Sequence, residues 1–252
     1  MDDAYLAQLV DLHKRQKRQG PGGEAETGRA MALANLQKSE PLRIADIGCG
    51  TGASTLQLAN SLNAEITAVD FLPEFIEALK DNAEAGGLSE KIKTLECSME
   101  QLPFAEEEYD VIWSEGAIYN MGFEKGLNEW RRFLKPGGAL IVSEITWITN
   151  TRPSEIQHYW DAAYPEIATA SSKIEILEKS GYSPIGYFVL PESCWLESYY
   201  RPLQDGFPAF LARHKDDETA TSIIEAEINE IALYKKYKSY YSYGVYVARK
   251  FD

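Results

Sequence analysis

The spacing of apolar positions changes along the chain, and the changes mark out its parts. Over residues 4–18 apolar and polar side chains recur at helical spacing, and the run stops in Gln19-Gly20-Pro21-Gly22-Gly23. That cluster ends a helix and makes a loop. A second helix is expected over 24–37. Short apolar runs then alternate with helical patterns. Runs at 42–47, 65–70, 91–96, 109–114 and 139–146 read as strands, and 53–62, 73–85 and 123–134 read as helices. Pro73 opens one helix and Gly86-Gly87 closes it; Lys135-Pro136-Gly137-Gly138 closes another.

This alternation builds βαβ units, and right-handed crossovers place helices on both faces of a mostly parallel, doubly wound sheet. A ligand site is then expected beyond the carboxyl ends of the strands, near the switch point beside the first strand. After residue 150 the pattern changes. Helices are expected at 153–164 and 172–179, a strand at 185–190, a helical, aromatic-rich stretch at 191–239 and a last strand at 241–249.

Composition narrows the classes. A length of 252 residues suits one large domain. Lys and Arg total 25 against 39 Asp and Glu, a net charge of −14. Such a chain repels polyanions, which argues against nucleic acid and anionic membrane as partners. Cys49, Cys97 and Cys194 are far apart and show no metal-ligand spacing, so neither a metal nor a disulfide framework is expected. Residues 1–20 lack the features of a signal peptide, and no run approaches the ~18 apolar residues of a membrane helix. A soluble, cytoplasmic location is expected.

The candidate chemistry begins at Ile44-Ala45-Asp46-Ile47-Gly48-Cys49-Gly50-Thr51-Gly52-Ala53. Glycines let the backbone turn sharply and approach a ligand. Residues 48–53 also satisfy a dinucleotide fingerprint, so the glycines alone leave the ligand open. Asp46 weighs against a pyrophosphate and suits a ligand carrying ammonium and sulfonium groups, as S-adenosylmethionine does. Asp70, at the end of the second strand, is placed to accept hydrogen bonds from ribose hydroxyls, and serves either ligand.

The ordered set DIGCGTG, AVD, SMEQLPFAEEEYDVIWS and LKPGG, over residues 40–146, resembles a class I S-adenosylmethionine-dependent methyltransferase. The likeness is to the small-molecule branch that includes ubiquinone- and menaquinone-biosynthesis enzymes. KRQGPGG and WSEGAIYNMGF resemble a bacterial subgroup of it. The resemblance implies a Rossmann-like, seven-stranded, mostly parallel sheet with an N-terminal helical extension and a helical insertion before the last strand. It implies one domain over 1–252: N-terminal helices and a lid loop (1–39), a cofactor core (40–146), and acceptor-side elements (147–252) that include the insertion 191–239. Asp46, Gly48 and Gly50 would line the methionine end of the cofactor. Asp70 would hold the ribose, Phe71 or Leu72 the adenine, and Ser98 and Met99 the adenine edge. Ser98 stands where the family has an Asp. Trp113, Ser114 and Glu115 would lie beneath the sulfonium.

Glu115 is a candidate ligand for the cofactor ammonium or a base toward the acceptor. Tyr119 and Asn120 are candidates to orient the acceptor, or Tyr119 packs beneath the next helix. His158 is a candidate base or an ordinary surface histidine. Arg18, Gln19 and Gly20 form a candidate lid that meets the cofactor carboxylate, or a plain helix stop. The aromatics Trp195, Tyr199, Tyr200, Phe207 and Phe210 cap an apolar acceptor pocket, form a core of their own or make a dimer contact. His13 and His214 read as solvated. The expected partner is a small-molecule acceptor, and the expected assembly is a monomer or homodimer. The alternatives are an NAD(P)-dependent oxidoreductase and a non-catalytic S-adenosylmethionine-binding protein.

Overall fold

The computed structural model describes residues 3–37 and 39–251. Met1, Asp2, Lys38 and Asp252, which belong to the two flanking segments of the sequence reading, lie outside the described residues. Helices α1 (Asp3–His13) and α2 (Glu24–Leu33) lead into the alternating part. It comprises β1 (Leu42–Ile47), α3 (Ala53–Ser61), β2 (Ala64–Asp70), α4 (Pro73–Ala85), β3 (Ile92–Glu96), β4 (Tyr109–Glu115), α5 (Phe123–Trp130) and β5 (Leu134–Trp147). There follow α6 (Ser154–Ala163), β6 (Ala168–Thr169), α7 (Ala170–Lys179) and β7 (Tyr182–Val189). The remainder is α8 (Glu192–Trp195), a π-helical turn (Leu196–Tyr200), α9 (Arg201–Arg213), α10 (Glu218–Tyr237) and β8 (Tyr241–Lys250).

The strand order is β3-β2-β1-β4-β5-β8-β7, with the short β6 paired to β5. The strands from β1 to β5 run parallel, and β8 enters antiparallel between β5 and β7. Both faces of the sheet are covered, as a parallel sheet requires. In β4, Val111 and Trp113 face one core and Ile112 the other. The sequence direction reverses between β2 and β4 on either side of β1, so the switch point falls at the carboxyl ends of β1 and β4. Among the described residues no helix is long and apolar enough to cross a membrane.

Several boundaries differ from the sequence reading, each for a visible reason. The first helix stops at His13, not at 18, because the carbonyls of Gln16 and Lys17 turn to accept Thr51 Oγ1 at 3.0 and 3.3 Å. The second stops at Leu33, followed by Asn35 in the left-handed region at φ 53°. Strand β5 starts at Leu134, with the 135–138 turn held inside it as a register shift opposite Tyr109 and Val111. In β7 an irregularity at Pro184/Gly186 hides the strand's first residues. Two-residue β6 is too short for any periodicity to reveal.

Helix α1 is fastened across α9 and α10. Asp11 Oδ2 accepts Arg213 Nε at 2.9 Å and Nη2 at 2.8 Å, and His214 Nε2 lies 3.1 Å away. Gln8 donates to Asp217 at 2.7 Å, and Asp217 caps α10 through the amides of Thr219 and Ala220. His214 is therefore engaged, not solvated. Burial pushes the Asp11 carboxyl up, but the hydrogen bonds from Arg213 and His214 outweigh it and hold the group at about 2. A depressed carboxylate stabilises the fold above its unfolded pKa, near 3.9, and the contribution disappears as pH falls toward the folded value. Asp11→Asn should therefore cost about 1–2 kcal/mol at pH 7. The gap to the parent should close between about pH 4 and pH 2, as read from urea midpoints across that range.

Candidate active site

The glycine loop follows β1 at the switch point. Gly48 and Gly50 have φ of +76° and +55°, and both are crowded. A Cβ on Gly48 would stand 2.3 Å from Ala117 Cβ, and one on Gly50 would stand 2.2 Å from Gln19 Oε1. The left-handed conformation disfavours a side chain at both positions, and at Gly48 the Ala117 methyl also leaves no room for one.

The loop amides are all engaged within the protein. Gly48 N and Cys49 N donate to Val69 O at 2.8 and 2.9 Å, and Gly52 N donates to Cys49 O at 3.0 Å. Gly50 N donates to Asp70 Oδ2 at 2.9 Å, and Thr51 N to Gln19 Oε1 at 2.9 Å. Loops that bind phosphate turn such N–H groups toward the anion. From Gly48 to Gly52 none is left for one.

Carboxylates surround the loop instead. Asp46 is fully buried and accepts Ser54 Oγ at 2.9 Å and Thr55 Oγ1 at 2.6 Å on Oδ2, while Oδ1 has no hydrogen-bond partner. Burial pushes it up to about 7 against those hydrogen bonds, and the charges of Glu115 and Asp70 add to the rise. Asp70 is also raised, by burial that outweighs its hydrogen bonds from the amides of Leu72 and Gly50. Glu115 Oε1 accepts Thr27 Oγ1 at 2.7 Å and Trp113 Nε1 at 3.1 Å, while Oε2 pairs with Arg18 Nη1 at 2.9 Å. Only 9% of the Arg18 side chain and 17% of the Glu115 side chain are exposed. Gln19 clasps the glycine loop, because its Nε2 also donates to Thr51 Oγ1 at 2.9 Å.

Asp70, Glu115, Arg18 and Gln19 border one cleft of about 850 Å³, a size suited to a cofactor and a small acceptor together. Gly48, Gly50, Asp70, Phe71, Leu72, Ser98 and Met99 line one end of it. Arg18, Gln19 and Gly20 line it from the N-terminal loop, and Glu115, Tyr119 and Asn120 from the end of β4 and the turn after it. Asp46 and Ser114 do not reach the wall. Asp46 is sealed behind the loop, and Ser114 is fully buried, donating to Ile47 O at 2.8 Å. His158 is exposed on α6 and is not brought to the cleft.

The opposite end of the cleft contains His13, read from the sequence as solvated, Tyr199 of the aromatic segment, and Glu227 and Glu230, which the sequence reading did not assign. His13 is 9% exposed, so it is buried and not solvated; its Nε2 lies 3.2 Å from Glu227 Oε1. Glu227, Glu230 and Tyr199 complete this end. A signal for Glu227 was present: it falls on the buried stripe of α10 with Ala220, Ile223, Ile224, Ile231 and Tyr234, where an acidic residue is out of place. Tyr199 came from the aromatic segment, most of which packs as core: Trp195 stacks on Tyr234 at 4.3 Å and on Tyr243 at 5.3 Å. A second cavity of about 820 Å³ lies behind the loop, among Lys14, Arg15, Lys17 and Asn82, and contains no expected site residue. Among the described residues no cluster of three or more His, Cys, Asp or Glu could hold a metal ion.

Residues 44–138 match the family model described as a methyltransferase domain. A ubiquinone/menaquinone biosynthesis C-methyltransferase of Geotalea daltonii is 29% identical over 188 residues, 73% of this chain and 74% of that protein. A demethylmenaquinone methyltransferase of Thermus thermophilus is 37% identical over 118 residues, 46% of this chain and about half (52%) of that enzyme. An S-adenosylmethionine-dependent methyltransferase of Geobacter sulfurreducens, solved with S-adenosylhomocysteine, superposes with a TM-score of 0.83 at 16% identity, covering 96% of this chain and 97% of that one. At that identity the likeness establishes the fold.

Proposed function

We propose that this chain is a class I S-adenosylmethionine-dependent methyltransferase of the quinone-biosynthesis-like branch, which binds S-adenosylmethionine in the cleft and methylates a small-molecule acceptor, releasing S-adenosylhomocysteine. The observation that carries the cofactor reading is the glycine loop, whose amides are all engaged and whose flanking charges are carboxylates. Such a loop repels a pyrophosphate and favours a cation. The same point weighs against an NAD(P)-dependent oxidoreductase.

The residues fit the cofactor in turn. Gly48 and Gly50 give close backbone approach to its methionine part, and Asp70 keeps lone pairs for ribose hydroxyls beyond those spent on Gly50 N and Leu72 N. Phe71, 67% exposed, and Leu72 offer apolar surface to the adenine, with Ser98 and Met99 at its edge. The Arg18–Glu115 pair matches the zwitterionic amino-acid group charge for charge, Arg18 toward its carboxylate and Glu115 toward its ammonium. Asp46 acts from behind the loop, as a buried carboxyl whose charged form a nearby sulfonium stabilises. The bound cofactor supplies an activated methyl group, so catalysis rests chiefly on holding the acceptor in line and excluding water. Tyr119 and Asn120 are the positioning residues at that point.

Titration calorimetry with S-adenosylmethionine, S-adenosylhomocysteine and NAD tests the reading. The two adenosyl compounds should bind with micromolar-range affinity and NAD should not; binding of NAD alone would overturn it.

A further inference from the structure

The far end of the cleft is bordered by two carboxylates, Glu227 and Glu230, of which Glu227 pairs with His13. Glu227 is nine-tenths buried, lines the cleft, shares Oε1 with His13 and leaves Oε2 without a hydrogen-bond partner. Glu230, three residues on along α10, borders the same space and has one contact, from Tyr200 OH to Oε1 at 3.0 Å. Glu230 and Tyr119 keep exposed surface, yet burial is the largest cause of the upward pKa shift of both. Both line the cleft. After burial, the nearby Glu227 charge is the next largest cause of the rise at Glu230.

The other elements around the chamber supply no free cation. From α1 come Leu6, Leu9, Val10 and His13, and the His13 ring is committed to Glu227 through Nε2. Arg18 is committed to Glu115. The turn after β4 and the π-helical turn contribute Tyr119 and Tyr199. Two carboxylates beside tyrosine rings form a recognition site for positive charge, because ring faces and carboxylates both attract cations.

We propose that the acceptor carries a cationic nitrogen, as a protonated amine or a quaternary ammonium group, held between Glu227 and Glu230 and walled by Tyr119 and Tyr199. This rests on the methyltransferase reading of the cleft and adds to it the class of acceptor. Glu227 and Glu230 are then specificity-determining residues. The apolar side chains of α1 cover the rest of the acceptor.

The test compares matched probes on protein loaded with S-adenosylhomocysteine: 2-phenylethylamine against 2-phenylethanol, and hexylamine against hexanol, by titration calorimetry. Each amine should bind at least about tenfold more tightly than its alcohol. The preference should fall below about threefold in Glu227→Gln/Glu230→Gln, with Glu230→Gln alone in between. Glutamine can still accept the His13 contact, and an unchanged circular dichroism spectrum and S-adenosylhomocysteine affinity show that the fold is kept. Equal binding of amine and alcohol, no binding of either amine, or a preference that survives the double substitution would overturn the proposal. Failure of the parent protein to bind S-adenosylhomocysteine would instead strike the cofactor reading. The same amine–alcohol comparison on the unloaded protein would still decide the acceptor question.

Discussion

Asp70→Ala should raise the dissociation constant for S-adenosylhomocysteine by about 100-fold, or about 2.7 kcal/mol, with the fold intact. Two losses add up. The variant forfeits charged hydrogen bonds to the ribose, worth about 1.5–3 kcal/mol. It also strips the amides of Gly50 and Leu72 of their acceptors, at 2.9 and 3.0 Å, so the turn of the glycine loop loosens. Asp70→Asn keeps a single acceptor oxygen and should lose less, about tenfold. Calorimetry measures both variants, and circular dichroism checks the fold. An unchanged affinity in Asp70→Ala would remove this residue from the cofactor site.

Lys173→Met should destabilise the protein by about 3–5 kcal/mol. Lys173 and Glu144 are both completely buried, with Nζ 3.1 Å from Oε1. The ammonium also lies 4.4 Å from the Phe123 ring centroid and 5.5 Å from that of Tyr164. Burial raises the Glu144 carboxyl even against the Lys173 charge, and its Oε2 has no hydrogen-bond partner. Without Lys173 the carboxyl must take up a proton or remain as an unpaired charge, so the loss should deepen as pH rises. Lys173→Met/Glu144→Gln should recover most of the stability, since it is the orphaned partner that is costly. Urea unfolding of the single and double variants at pH 6 and 8 measures this. A loss under about 1 kcal/mol in the single variant would show that the pair contributes little.

How far the sequence could be read depended on whether a feature was local. Strands β1 to β4 and the glycine loop stand out because each is a short apolar run stopped by glycine, proline or charge. The end of α1 does not, because Lys14, Arg15, Gln16 and Lys17 suit a helix, and what draws the carbonyls of Gln16 and Lys17 away includes Thr51, far along the chain. That Gly48, Gly50, Asp70, Phe71, Ser98 and Met99 would border one cleft was legible for the same reason as β1: they sit in contiguous motifs at strand ends. The depth of Asp46 was not, since residue type says nothing of which side of the loop a carboxylate occupies. The other end of the cleft is assembled from α1, the turn after β4, the π-helical turn and α10, and no spacing rule links His13, Tyr119, Tyr199 and Glu230. His158 illustrates the converse. Its place after the fifth strand suggested the cleft, but α6 turns it to solvent.

The antiparallel entry of β8 between β5 and β7 has a consequence for synthesis of the chain. One side of β5, from Ala139 to Trp147, finds its partner only when Tyr241–Arg249 has been made, and β7 cannot join the sheet earlier because it pairs with β8. About 90 residues separate the end of β5 from the start of β8, which is roughly 5–20 s of translation at ordinary rates. Through that interval a largely apolar strand presents an open edge, the template on which chains pair with one another. Glycine loop, Asp70 and Glu115 are all made before it begins. Protection of the nascent chain by a chaperone, or a slow supply of new chains, therefore matters most in the stretch that builds α6 to α10.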